Sequence, residues 1–442
     1  MRVLLLAHAF PPFNSSGAVR AGKLAEHLLA RGHDVRVLTG APHPYPATLP
    51  TAFPADRVIA TAWARIEAPL DMLRERIGHR ARAQASTTGT VAGSSPAATR
   101  PSLAAKAVIA YRSLLSVPDA QAGWIPKATA AGKRLFPTWR PELIYSTALP
   151  FSSHVVAARL AKAAGCPWAG EFRDLFSGNP YKELWRSRER VDTALERRTM
   201  ATAAAVVSVS PPMTEYLAQL HGKPAATIMN GFDPADSARA PDLSGDLDPA
   251  MVTIIYTGIV YPGRRDPRVL FEALRKLGPE RSRFDVRFYG QSLDAVMATA
   301  QRTGVGDVVR TFAPVPYLTS LGLQKAADIL LLLLWDSPLE KGVLTGKLFE
   351  YVGAGRPVLS LGCTEGAAAA IVDAHKLGLA TNDVDAVARF LLGVAERKAQ
   401  GYTAEPRDAA RAGSGLSRRE QFEALEAFLA GHGLLRPAAA TV

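Results

Sequence analysis

The sequence predicts an α/β protein of two doubly wound domains, each a parallel sheet with helices on both faces. Three observations carry this. Short apolar runs rich in Val, Ile and Leu recur from end to end, and runs without polar alternation mark strands buried on both faces. Stretches of helical spacing lie between them, as in βαβ units. The series is interrupted at 234–250, where Asp, Pro and Ala gather without periodicity and read as a linker. At 442 residues the chain has room for two or three domains of about 100–200 residues.

The first element is a strand at residues 2–7. A Pro/Gly/Ser loop follows, from Pro11 to Gly17, then a helix with Leu24, Leu28 and Leu29 on one side and Gly32 as its stop. Val35 to Leu38 is the next strand. The pattern then loosens, and residues 84–104, rich in Ala, Ser, Thr and Gly, read as a flexible insertion. Alternation resumes with a strand at 143–146, a helix at 152–164, a strand at 167–172, a charged helix over 181–203, and strands at 205–209 and 226–229. The second series has strands at 252–256, 284–289, 308–312, 328–334, 357–361 and 377–380. The first domain is thus expected over 1–235 and the second over 250–417. The last helix, 418–432, follows the completed second series and is a candidate to pack back on the first domain.

Composition narrows the function classes. Apolar residues make up 48% and charged residues 21%, which supports sizeable cores and excludes wholesale disorder. No apolar run nears the roughly 18 residues that span a bilayer. Residues 1–7 read as a strand rather than a signal peptide, so a cytoplasmic location is expected. Cys166 and Cys363, the only cysteines, match no metal or redox spacing. The net charge of +12 favours anionic partners. Zinc-finger spacing, an RNA-recognition signature and basic runs interleaved with aromatics are all absent, which argues against nucleic acid.

Ligands of open α/β sheets bind at the carboxyl ends of strands, so the loops after strands hold the candidate residues. Gly346-Lys347-Leu348-Phe349-Glu350 opens a helix after the apolar strand ending near Leu334. A helix N-terminus attracts phosphate, Gly346 permits close approach and Lys347 adds a point charge. Glu350 shares a helix side with Lys347 and can accept hydrogen bonds from a sugar diol. On spacing alone an ordinary surface helix with an i,i+3 ion pair is the better reading. The loop Gly258 to Pro267 offers Arg264 and Arg265 as forked phosphate donors, or one of them as a partner for Asp266. In the first domain the loop Phe10 to Gly17 leads into a helix and lacks the GxGxxG of a dinucleotide binder. His154 sits in the first turn of the helix after Ser146, where it would reach a sugar hydroxyl or serve the fold. Asp174, after Arg173, ends another strand.

Taken together, these segments resemble glycosyltransferase family 4, the retaining GT-B enzymes, in the subgroup with a GKLFEY-type donor loop. The resemblance is carried by HAFPPFNSSGAVRAGKLAEHLLARGHDVRVLTG, PELIYSTALPFSSHVVAARLAKAAGCPWAGEFRDLF, VVSVSPPMTEYL, IMNGFDPAD, IIYTGIVYPGRRDP and GVLTGKLFEYVGAGRPVL, and covers nearly the whole chain apart from 50–115. It implies two Rossmann-like domains facing across a cleft and transfer of a sugar from a nucleotide-sugar to a glycan or lipid-linked saccharide in polysaccharide or glycoconjugate biosynthesis. It also implies roles. Gly17 would lie against the donor, Arg264 and Lys347 would clamp its diphosphate with Arg265 and Leu348 beside them, and Glu350 would hold the ribose. His154 would contact the transferred sugar, with Asp174 near it. No metal and no cofactor is implied, since fixed cations stabilise the leaving phosphate. Many members carry E-x7-E; here Gly342 stands in the first glutamate position, and Glu340 is out of register.

One segment suggests a membrane. Between Arg65 and Arg112 there are eight Lys/Arg against three Asp/Glu. At 69–83, Leu70, Leu73 and Ile77 share one face while Arg74, Arg76, Arg80 and Arg82 cover much of the rest. That suits peripheral contact with an anionic membrane, or equally a helix docked on the first domain. The alternatives to transfer are a GT-B nucleotide-sugar epimerase, a phosphorylase, and a non-catalytic GT-B scaffold for a partner glycosyltransferase.

Overall fold

The computed structural model describes residues 1–63, 116–179, 186–261, 263–291, 293–401 and 415–436. The expected insertion at 84–104 and the basic helix at 69–83 lie outside the described residues. The chain divides into two compact units. The first takes Met1–Val207, Leu217–Ala225 and Leu429–Val442, the second Ser208–Tyr216 and Ala226–Phe428.

The first unit is built on β1 (Arg2–Ala7), β2 (Asp34–Ala41), β3 (Val58–Ala62), β4 (Leu143–Ala148), β5 (Trp168–Phe172), β6 (Ala205–Ser208) and β7 (Ala225–Thr227). They form one sheet in the order β3-β2-β1-β4-β5-β6-β7. β1 pairs in parallel with β2 on one side and β4 on the other, Leu5 lying opposite Val37 and Tyr145. The order reverses between β1 and β4, and at such a reversal neighbouring loops diverge to leave a crevice at the strands' carboxyl ends. β1 is covered on both faces there: Val3, Leu4, Leu5 and Leu6 are all fully buried.

Helix α1 (Ser16–Ala30) follows β1, its start fixed by Ser15, whose Oγ accepts from the Ala18 amide. α2 (Trp124–Leu135) precedes β4 and α3 (Ser152–Ala164) follows it. α3 is capped from outside its own segment. Asp119 accepts from the Ser152 amide at 2.9 Å and from its hydroxyl at 2.6 Å, satisfying donors that the helix leaves open. α4 (Arg186–Met200) follows, and α5 (Pro211–His221) belongs to the first unit only from Leu217. The loop that carries Asp119 is tied down by buried Arg188, which donates to the Ser116 and Pro118 carbonyls and pairs with Asp192 at 2.7 Å.

In the second unit β8 (Val252–Thr257), β9 (Phe284–Tyr289), β10 (Val309–Phe312), β11 (Ile329–Leu333), β12 (Val358–Leu361) and β13 (Gly378–Ala380) form a sheet in the order β10-β9-β8-β11-β12-β13. Its reversal falls between β8 and β11, paired with Ile329 opposite Ile254. The helices from here on are α6 (Pro234–Arg239), α7 (Arg268–Lys276), α8 (Asp294–Thr303), α9 (Tyr317–Ala326), α10 (Gly346–Ala354), α11 (Ala367–Ala374), α12 (Val384–Ala399) and α13 (Arg418–Gly431).

Successive strand residues feed opposite cores, as the period of two requires. Ile254, Tyr256 and Leu331 join a core with Leu270 and Phe271 of α7 and Leu391 of α12. Ile255, Leu330 and Leu332 join another with Leu348 and Val352 of α10. α13 belongs to the second unit as far as Phe428, and from Leu429 the chain belongs to the first. Gly231 lies so close under the start of α13 that an added Cβ would meet the Arg418 nitrogen at 2.3 Å.

Three elements differ from expectation. The aperiodic stretch at 234–250 contains α6, because Asp233 caps it by accepting from the Ala235 amide and Pro234 occupies its first turn. Six residues are too few for an apolar stripe to declare itself. β3 and α2 lie in the region where the pattern loosens. β3 is an edge strand with only one buried residue, so its apolar signal is weak.

Candidate functional site

The candidate residues fall on or just after the loops that follow strands near the two sheet reversals. In the first unit α1, β4 and β5 converge on a buried pair. Arg20 donates to Glu171 Oε1 from Nε at 3.0 Å and from Nη2 at 2.7 Å, and the Tyr145 hydroxyl donates to the same oxygen at 2.8 Å. Arg20 and Glu171 are 2% and 1% exposed. Burial alone would raise the Glu171 pKa; the Arg20 charge and these hydrogen bonds hold it below the usual carboxylate value.

Arg173 is anchored through Nε to Thr147 Oγ1 at 3.0 Å and through Nη2 to the Leu149 carbonyl at 2.6 Å. Its guanidinium crosses the first turn of α1, where a Cβ added at Gly17 would stand 2.3 Å from Nη1. The room that Gly17 leaves is therefore taken by a cation of this chain. Asp174 is exposed in the following turn. That turn is held from behind by Glu196, which accepts from the Ser177 amide at 2.9 Å and pairs with His221 at 3.1 Å.

His154 is fully buried. Its Nδ1 shares a hydrogen bond of 2.6 Å with Ser146 Oγ, and Phe151, Phe172 and Trp168 pack around the ring at 5.3, 4.8 and 5.8 Å. Burial pushes its pKa down to about 3, so the ring is neutral at physiological pH. Its position in the first turn of α3 is as expected, but the ring is enclosed by the core rather than open at its surface.

In the second unit the loop after β8 and the start of α10 lie together. Gly258 has φ +124°, open to glycine alone, and an added Cβ would meet Lys347 Cε at 2.4 Å. Lys347 thus runs over bare backbone, with Nζ 5.5 Å from the centre of the Tyr256 ring. Arg264 lies 4.9 Å over Trp335, and Arg265 4.8 Å over Tyr261. An aromatic face holds a cation in place while its N–H groups can still turn to oxygen ligands. Burial first, then the Arg265 charge, lowers the Lys347 pKa to about 8 against the opposing pull of Glu350. Among the described residues no carboxylate forms a salt bridge with Lys347.

α10 begins cleanly. Thr345 caps it, its hydroxyl accepting from the Lys347 amide at 3.4 Å, and nothing approaches within 4 Å of a Cβ placed on Gly346. Backbone N–H groups at an open helix start suit an anion. Leu348 is fully buried, so its side chain packs the core. Glu350 is half-buried; burial raises its pKa, and a hydrogen bond from Gln324 Nε2 to Oε2 at 3.0 Å opposes that shift. Beside Glu350 lies a shallow depression, lined in part by Tyr317, Gln324 and Arg418. Gly342 is open, with nothing nearer to an added Cβ than Pro212 at 3.8 Å. Glu340 is 1% exposed, so its carboxylate does not replace the missing one at that surface.

Gln324, Trp335 and the role of Tyr145 do not stand out in the sequence. Gln324 stands beside Lys325 and four residues after Ser320, so its polarity marks nothing in the sequence. Among the described residues no group of His, Cys, Asp and Glu is arranged to hold a metal ion, and no helix is long and apolar enough to cross a membrane.

Comparisons with known proteins agree with the fold. Residues 16–231 match the model of the Glycosyl transferase 4-like domain. No curated protein matches the sequence. Among solved structures, sucrose-phosphate synthase from Thermosynechococcus elongatus is similar with a TM-score of 0.59 at 16% identity, covering 98% of this chain and 97% of that one. HepE from Anabaena, solved with UDP and glucose, has a TM-score of 0.59 at 15% identity over 98% and 100% of the two chains. WaaG, a glycosyltransferase involved in lipopolysaccharide biosynthesis, has a TM-score of 0.56 at 14% identity over 96% and 98%. The two Rossmann-like units are those of the GT-B architecture.

Proposed function

We propose that this protein is a glycosyltransferase that moves a sugar from a nucleotide-sugar to a glycan or lipid-linked saccharide, retaining the anomeric configuration and using no metal. The observation that supports this best is the second unit's reversal loop. Three cations, Arg264, Arg265 and Lys347, rest on aromatic faces beside an open helix start, with the Glu350 carboxylate one turn further on. A diphosphate needs cations and N–H donors, and a ribose needs a hydroxyl acceptor. HepE, of the same fold, is solved with UDP and with UDP-glucose, which makes uridine diphosphate the first donor nucleotide to try.

In this reading Lys347 and Arg264 bind the two phosphates, Arg265 and the start of α10 assist, and Leu348 anchors that helix in the core. Glu350 accepts from the ribose. When the bond between the anomeric carbon and the phosphate oxygen breaks, its electron pair passes to the phosphate, and the fixed cations stabilise that charge without solvent rearrangement. The acceptor hydroxyl attacks from the same face and its proton passes to the leaving phosphate. Gly17 admits Arg173 across the first turn of α1, adding positive charge there, and Asp174 lies beside the sugar. His154, enclosed and neutral, acts by fixing the loop after β4.

The test is release of nucleoside diphosphate from a panel of nucleotide-sugars, with and without saccharide acceptors. Acceptor-dependent release from one donor supports transfer. Donor isomerisation without acceptor points to an epimerase. No turnover with any donor, and nucleotide affinity unchanged by Lys347→Ala, leaves a binding scaffold.

A further inference from the structure

Gln324 is fully buried on α9, yet it is polar and no part of the reading above requires it. Its Nε2 lies within hydrogen-bond distance of three acceptors. These are Thr257 Oγ1 at 3.0 Å, Glu350 Oε2 at 3.0 Å and Ser320 Oγ at 3.2 Å. Thr257 is the last residue of β8, directly before Gly258, and Glu350 is one turn into α10. One amide therefore joins the end of the central strand to the helix that carries the carboxylate. Among the described residues the Gln324 bond is the only hydrogen bond to the Glu350 carboxylate, and none reaches Oε1. An amide nitrogen beside a carboxylate also fixes the amide's orientation, since its oxygen in that place would repel the charge. The buried Gln324 Oε1 is left without a partner, and an unmet buried acceptor is destabilising. An apolar residue would avoid that penalty, so the Nε2 contacts are what the position supplies.

We propose that Gln324 is a positioning residue for the nucleotide's ribose: by holding Glu350 Oε2 against Thr257 it presents Oε1 to a ribose hydroxyl and makes the site prefer ribonucleotides to 2′-deoxyribonucleotides. This rests on the reading of Glu350 as the ribose acceptor. Two effects combine. The tether removes rotamer freedom that binding would otherwise have to freeze. The donated hydrogen bond also favours the ionised carboxylate over the protonated form, which accepts less well.

The experiment measures affinity for UDP and for 2′-deoxy-UDP by calorimetry, with the ADP and GDP pairs beside them, in wild type, Gln324→Met, Thr257→Val and Glu350→Gln. A hydrogen bond to a charged group is stronger than one between neutral partners, so the wild type is expected to prefer the ribonucleotide about tenfold or more. Gln324→Met is expected to bring the preference to within about threefold of unity, chiefly by weakening the ribonucleotide, and to move the acid limb of ribonucleotide affinity to higher pH. A residue that only packs would weaken both ligands equally and leave that limb in place, and that result overturns the proposal. If Gln324→Met does not fold, Thr257→Val removes the other anchor, and an unchanged preference there overturns it too. Glu350→Gln separates the two readings. If it keeps the wild-type preference, Glu350 is not the ribose acceptor. If it abolishes the preference and Gln324→Met does not, only the role of Gln324 fails.

Discussion

The two sheet reversals are built on the same principle of strand order and use their charges in opposite ways. In the first unit the charges close on one another. Arg20 and Glu171 pair in the core beside Tyr145, and Arg173 is held by Thr147 and the loop after β4. In the second unit Lys347, Arg264 and Arg265 rest on aromatic rings, and Lys347 has a pKa of about 8. A paired charge in the core sets backbone position. A cation desolvated on a ring face gains most when an anion arrives. In the proposed function the first loop set serves as scaffold and the second binds the diphosphate.

The largest expected effect breaks the first half. Glu171→Ala leaves Arg20 charged and unpaired in the core and should cost about 3–5 kcal/mol of unfolding free energy, measured by denaturant titration. A loss below about 1 kcal/mol would show that the pair does not hold the loops. Lys347→Ala should remove about 3 kcal/mol of transition-state stabilisation, roughly a hundredfold in kcat/KM, with unfolding free energy changed far less. Equal loss of stability in the two variants would erase the distinction between the units.

Two pH profiles sharpen it. In the unliganded protein Lys347, with a pKa of about 8, is charged below that value and neutral above it. UDP affinity should therefore fall as pH rises through about 8, by up to about tenfold per pH unit. Lys347→Ala should lack that limb. His154 works the other way. Its pKa is about 3 when folded against about 6.5 unfolded, so the unfolded chain binds the extra proton between those values. Stability contributed by the neutral ring is present above about pH 6.5 and is lost as pH falls, at up to about 1.4 kcal/mol per unit. His154→Gln should flatten that part of the curve while UDP affinity at neutral pH stays within a few-fold. The smallest effect is expected of Gly17→Ala, which pushes the Arg173 guanidinium off its Thr147 and Leu149 partners, at about 1–2 kcal/mol of unfolding free energy by denaturant titration.

Most strands are legible in the sequence because a strand buried on both faces has to be apolar throughout. Residues 284–289 and the helix at 152–164 have the bounds that their patterns predict. β3 escapes because an edge strand is only partly buried, and α6 because six residues start from a cap rather than a stripe. Among the candidate residues, Lys347, Glu350 and Arg264 are legible as loop residues after strands. The enclosure of His154 is not, since Phe172 and Trp168 reach its ring from β5 while Phe151 closes it from the loop before α3.

By itself, then, the sequence determined the βαβ order of the second unit and, apart from β3 and α2, of the first, together with the loops that follow their central strands and the residue types those loops carry, because hydrophobic period and helix-start chemistry are local. Only the tertiary structure decided which charges pair in the core and which lie against aromatic rings. Pairing Arg20 with Glu171, laying Lys347 over Gly258 and tethering Glu350 through Gln324 each join residues far apart in the chain. Whether a charge meets an opposite charge or an aromatic face depends on that closure.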